Sequence, residues 1–139
     1  MSKNKIIIEG RILSFEQSPF NRDFDVSSLK IDKKRIFVVD GIIDSIEPVN
    51  FLSPDFQDIE VIDYGDHLIS AGFVDAHVHY PQTAIIASWG KRLIDWLNVY
   101  TFPEETRFKN SNYASEIATR YIDFSLSNGT TTMASYCTI

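Results

Sequence analysis

Two histidines, His77 and His79, stand two residues apart in the apolar run Phe73-Val74-Asp75-Ala76-His77-Val78-His79. In a β-strand alternate side chains share a face. The spacing therefore predicts two imidazoles side by side, which is the geometry two metal ligands need. Neutral imidazole is the commonest metal-ligating side chain and suits zinc, although other divalent ions accept it. A catalytic zinc takes about three protein ligands and a water, so this pair alone does not complete a site. The plainer reading is two polar residues at a strand end, hydrogen-bonded to their neighbours. Position favours the metal, because α/β enzymes place their chemistry at the C-terminal ends of buried strands.

Three nearby residues bear on that choice. Asp75 shares the histidine face and would sit in a barrel interior or behind the ligands. His67 precedes Ala71-Gly72, at the opposite end of the strand region, and is not expected at the site. Gln82, three residues past His79, carries a donor and an acceptor that match a purine or pyrimidine edge. Without further context a solvated loop glutamine is the simpler reading. Trp89 and Trp96 are expected in helix packing rather than substrate stacking. The stretch Tyr100-Thr101-Phe102-Pro103-Glu104-Glu105 could hold a general acid/base carboxylate. Its simpler reading has Pro103 opening a turn and both acids on a solvated face.

Other catalytic patterns are absent from the sequence. It has no His-Glu-x-x-His helix and no glycine-rich loop opening a helix after a strand. The His-x-Glu and Pro-Cys-x-x-Cys pair of the nucleobase-deaminase zinc fold is missing. No nucleophile elbow supports a Ser/His/Asp set.

The elements that must position these residues fall into two textures. Residues 1–70 read as β, with strands expected at 6–13, 26–31, 35–39, 42–46 and 59–64. Asp40-Gly41, between Phe37-Val38-Val39 and Ile42-Ile43, is a strong hairpin signal. Residues 71–139 alternate. Phe73 to Val78 is expected as a buried parallel strand, apolar on both faces. Trp89, Leu93, Trp96, Leu97 and Tyr100 recur at helical spacing. A second helix is expected after Asn110 to Asn112, with Tyr113, Ile117, Tyr121 and Phe124 as its stripe and Gly129 as its stop. Thr130 to Tyr136 then reads as the next strand. Strand, helices, strand make one βαβ unit. A single such unit leaves a sheet unfinished, and Thr138-Ile139 fall in or just after a strand, so further residues are expected downstream.

Composition narrows the class. At 139 residues, 44% hydrophobic and 23% charged, the chain is globular rather than disordered. A formal charge of −6 argues against nucleic acid or an anionic membrane as partner. Behind Lys3 and Lys5 the apolar run is only Ile6 to Ile8, too short for a leader or a membrane span. The lone cysteine, Cys137, fits a reducing compartment. A cytoplasmic protein is the expectation.

Asp75-Ala76-His77-Val78-His79 after a β-rich stretch resembles the amidohydrolase superfamily. More narrowly, the chain is similar to the guanine deaminases within it. That resemblance rests on Gly72 to His79 with Gln82, on Asp95-Trp96-Leu97, on Tyr100-Thr101-Phe102-Pro103-Glu104 with Arg107-Phe108, and on Asn128-Gly129-Thr130-Thr131-Thr132. It runs from about Gly72 onward and is only architectural before that. Ala71 departs from the proline usual there.

The resemblance implies an α/β fold: a small N-terminal β-sandwich subdomain over 1–70, then the first βαβ unit of an incomplete (β/α)8 TIM barrel over 71–139. Such a barrel needs roughly 250 residues. The implied metal ligands are His77 and His79 on one zinc, and the implied guanine contacts are His79 and Gln82. The implied reaction is hydrolytic deamination of guanine to xanthine and ammonia, by a full-length homodimer. The remaining ligands and the general acid/base belong to later strands, so this chain alone is expected to be inactive. The alternatives are an amidohydrolase acting on another aminoazine or cyclic amide, and a truncated non-enzymatic chain that associates with a partner.

Overall fold

The structure is a computed structural model that describes residues 4–138; the readings at Lys3 and Ile139 lie outside the described residues. It divides into two units, Met1–Ala71 and Gly72–Ile139.

In the first unit, isoleucine-rich β1 (Lys5–Phe15) lies between β2 (Leu29–Val39) and β4 (Val61–Ile69), with β3 (Ile42–Pro48) outside β2. β1 runs antiparallel to β2 and parallel to β4, and β2 runs antiparallel to β3. The β2–β3 hairpin turns where the Asp-Gly pair predicts it. Asp40 and Gly41 take φ of 51° and 81°, the left-handed pair a tight hairpin demands and glycine tolerates without strain.

Two boundaries differ from expectation. Residues 26–31 and 35–39 were expected as separate strands, yet Val26–Ser28 is a 3-10 turn capped by Asp25, and 29–39 is one strand. The polar Asp32-Lys33-Lys34 does not break it, because β1 pairs alongside from Lys5↔Val39 to Phe15↔Leu29. Likewise β4 runs past Tyr64 to Ile69, through a register shift opposite Glu9 and Arg11.

One face of this sheet buries Ile7, Phe37 and Phe56, with Val39, Ile59 and Val61 against them. Phe37 meets Phe56 edge-on at 4.9 Å, a preferred aromatic geometry. Glu9, two residues after Ile7 and buried, is held by Arg35 at 2.9 Å and Lys33 at 3.1 Å. The Arg35 guanidinium first, then Lys33, holds its carboxyl below the usual carboxylate value. Glu9→Gln is expected to cost about 1–3 kcal/mol at neutral pH, as charge-assisted hydrogen bonds do. A depressed carboxylate stabilises above its unfolded pKa and loses that stabilisation as pH falls through its folded one. The gap in urea midpoint between wild type and variant should therefore be full at neutral pH and shrink below pH 4.5. An equal gap at all pH values would contradict this ion-pair role.

The second unit pairs β5 (Phe73–His79) in parallel with β6 (Thr130–Tyr136), from Phe73↔Thr130 to His79↔Tyr136. Between them come a 3-10 turn (Tyr80–Ile85) and an irregular helical run: α1 (Leu93–Trp96), a π turn (Leu97–Thr101), α2 (Phe102–Thr106) and a 3-10 turn (Arg107–Lys109). Pro103 has no N–H to give, so a regular α ladder cannot continue through it; the π turn ends at Thr101, two residues before it. α3 (Ser111–Ser127) starts where predicted. The Asn110 side chain accepts from the N–H groups of Asn112 and Tyr113. Gly129, at φ 83°, ends the segment, and its carbonyl oxygen accepts from the Phe73 N–H at 2.8 Å.

Three packing expectations are corrected. β5 is largely exposed rather than buried, with Phe73 at 63% and Val74 at 68%, because it pairs with β6 alone among the described residues. Trp89 lies before α1 and is exposed, so it does not join the helical stripe. On α3 the buried face runs Ile117, Tyr121, Ser125 at four-residue steps, leaving Phe124 exposed. No helix among the described residues is long and apolar enough to cross a membrane.

Candidate metal centre

Alternation along β5 sets His77 and His79 on one face, as the spacing predicts. Their Nε2 atoms lie 3.3 Å apart. Two corners of a tetrahedron around zinc, with Zn–N bonds of about 2.0–2.1 Å, are separated by about 3.3–3.4 Å. The pair therefore fits two coordination positions of a zinc ion. Among the described residues no group of three or more His, Cys, Asp or Glu side chains is placed to hold an ion. The two histidines are the candidate ligands that the described residues bring together.

Asp75 does not reach the imidazoles. Its Oδ1 accepts from the backbone N–H of His77 at 3.1 Å, at the register shift between Asp75 and Val78. That bond ties the backbone between the two positions. Tyr136, which the sequence reading passed over, does reach them. Its ring stacks on His79 at 5.0 Å and 16°, and lies 4.8 Å from His77. The register explains it: six residues beyond Phe73 is His79, and six beyond its partner Thr130 is Tyr136. His67 belongs to the first unit, where its Nδ1 lies 2.7 Å from the Tyr64 carbonyl oxygen.

Gln82 lies in the turn that follows His79, after the fully buried Pro81. It is half-buried, and its Nε2 donates to Glu105 Oε1 at 3.1 Å. Together with His77, His79 and Trp96 it borders a cleft of about 440 Å³. Trp96 donates its indole N–H to the Ser88 carbonyl at 3.0 Å, which ties that wall of the cleft to the preceding loop.

The paired acids are not both on a solvated face. Glu104 is 7% exposed, takes a hydrogen bond from the Tyr113 hydroxyl and pairs with Arg107 at 2.9 Å. Arg107 also lies over the Tyr113 ring at 3.9 Å. Desolvation first, then the Glu104 bond, pushes the Tyr113 hydroxyl up to about 12. An acidic pair after proline reads as surface in sequence, because the residue that buries it comes from the next helix.

The chain is similar to known proteins. The amidohydrolase family profile matches residues 68–138. Guanine deaminase of Escherichia coli K12 is 44% identical over 81 residues, 58% of this chain and 18% of that protein. Guanine deaminase of Rattus norvegicus is 42% identical over 86 residues, 60% of this chain and 19% of that protein. Among solved structures, guanine deaminase from Bradyrhizobium japonicum superposes with a TM-score of 0.86 at 29% identity, covering 96% of this chain and 29% of that one. Guanine deaminase from C. acetobutylicum with guanine bound in its active site gives 0.78 at 32% identity, covering 96% and 30%. This chain thus spans about a fifth of the length of the curated relatives it matches.

Proposed function

The chain belongs to the amidohydrolase family, and from that premise we propose that it forms the N-terminal part of an enzyme that deaminates guanine hydrolytically. Water adds at the ring carbon bearing the amino group and ammonia leaves, which gives xanthine. The observation that carries this reading is the His77–His79 pair, 3.3 Å apart beside Gln82. Its support is the likeness to proteins named as guanine deaminases.

His77 and His79 hold one zinc in this reading, with the remaining ligands from outside the chain. Bound there, the ion supplies a Lewis acid that makes water nucleophilic near neutral pH. Asp75 holds the His77 backbone at the strand irregularity, Tyr136 keeps the imidazoles side by side, and Gln82 binds the guanine edge together with His79. Residues 71–139 then form the first βαβ unit of a (β/α)8 barrel, whose chemistry sits at the strand C-termini. Residues 1–70 contribute one sheet of a β-sandwich whose other strands lie elsewhere in the longer protein. The working form is a cytoplasmic homodimer, by family likeness.

The test compares the 139-residue chain with the product of the complete reading frame that contains it. With zinc and guanine, the complete protein is expected to release xanthine and the 139-residue chain none. Xanthine from the short chain would overturn the proposed division of the site. Faster turnover of another aminoazine or cyclic amide by the complete protein would move the substrate assignment.

A further inference from the structure

Gln82 and Glu105 are 23 residues apart and come from different elements, the turn after β5 and helix α2. Both are half-buried, and neither moves freely. Pro81, next to Gln82, is fully buried, and the Thr83 hydroxyl ties the same turn by donating to the Tyr80 carbonyl at 2.6 Å. Glu105 follows Glu104, which is anchored by Arg107 and Tyr113. Glu105 itself is not among the residues that border the cleft, whereas Gln82 is.

A carboxylate only accepts hydrogen bonds, so the Gln82 group facing Glu105 must be its NH2. A carboxamide is nearly symmetric in shape and reads opposite polarities in its two flipped orientations. Without a fixed partner, Gln82 would greet a ring donor and a ring acceptor almost equally. We infer that Glu105 is a positioning residue that locks the Gln82 carboxamide in one orientation, so that the cleft selects rings by the order of donor and acceptor on one edge. This rests on the proposed reading of Gln82 as a substrate contact. The class selected is an aminopurine with guanine's order, N–H donor at N1 and carbonyl acceptor at C6. A ring with the reversed order, such as 2,6-diaminopurine, leaves polar groups unpaired against the locked amide. One mispaired buried group is worth about 10–100-fold in discrimination.

Two measurements test this on separate footings. The first is the side-chain NH2 signal of Gln82 in the 15N-labelled complete protein, assigned by its loss in Gln82→Ala. Glu105→Leu should shift that pair and bring its two protons toward equivalence, and the isosteric Glu105→Gln should broaden or double it. Unchanged Gln82 signals in both variants would overturn the inference whatever the substrate. The second is the ratio of kcat/KM for guanine over 2,6-diaminopurine in the complete protein. Glu105→Gln should lower that ratio about 10–100-fold, mainly through KM for guanine. A role in folding alone would depress both substrates together and leave the ratio intact, and that result also overturns the inference. A wild-type protein that turns over neither purine would sink the guanine reading, while the amide signals still decide the role of Glu105.

Discussion

Replacing His77 or His79 by alanine is expected to strip the metal from the complete protein and to lower kcat/KM for guanine by more than about 1000-fold. The reasoning starts from the 3.3 Å between the two Nε2 atoms. Two neutral imidazoles at that spacing either share one hydrogen bond or take two positions on one ion, and a structural pair would tolerate alanine at modest cost. A metal pair would not. Catalytic zinc rests on about three protein ligands, so each histidine is a large part of the coordination. Bound zinc would lower the pKa of its water to about 7, and losing the ion would remove that whole activation. A loss of about 1000-fold corresponds to about 4 kcal/mol of transition-state stabilisation. Groups that merely support a ligand cost about 10–100-fold, so the size of the effect separates ligand from support. Metal content by elemental analysis is the second readout, expected to fall well below one equivalent in both variants. His67→Ala is the control: its Nδ1 is engaged with the Tyr64 carbonyl, and its metal content should match wild type. A variant at His77 that keeps both its zinc and its rate would end the metal reading of this pair.

What could be read in the sequence was what depends on local rules. Alternation placed His77 and His79 on one face, Asp40-Gly41 placed the hairpin, and Asn110 and Gly129 bounded α3. Each of those signals lies within a few residues and acts through backbone geometry alone. What stayed hidden depends on partners from other elements. The apolar β5 looked buried, yet strand burial is decided by what packs on each edge and face, and β6 is its one strand partner among the described residues. Glu104 looked solvated because Tyr113 reaches it from the next helix. Glu105 could not be tied to Gln82, since 23 residues separate them and nothing in their local sequence marks the pair. Tyr136 is an intermediate case. A count along the strands from Phe73 and Thr130 reaches His79 and Tyr136 together only because two register shifts between them cancel, and no local signal marks those shifts.

The buried Glu104 cluster predicts the largest stability effect in the second unit. Glu104→Leu is expected to destabilise the protein by about 2–3 kcal/mol, read as a fall in urea midpoint. Most of that belongs to the bond from the Tyr113 hydroxyl to a carboxylate that is 7% exposed. Arg107 contributes less than about 1 kcal/mol, since its side chain is 56% exposed and water screens the pair. Its stacking over Tyr113 survives in the variant, which keeps the loss below that of a fully buried ion pair. The same cluster sets an alkaline signature with a defined sign. Tyr113 is neutral when it donates to Glu104, and its hydroxyl is pushed from 10.0 up to about 12. A raised pKa means stabilisation that is complete below the unfolded value and lost as pH climbs through the folded one. The bond should therefore hold through pH 10 and weaken between there and about 12. Tyrosinate absorbance is expected to show a late-titrating component from Tyr113. That late component should vanish in Tyr113→Phe, and in Glu104→Leu it should move to lower pH, because a carboxylate no longer opposes the phenolate. If Glu104→Leu leaves the late component in place, desolvation alone holds Tyr113, and the cluster is weaker than its geometry implies.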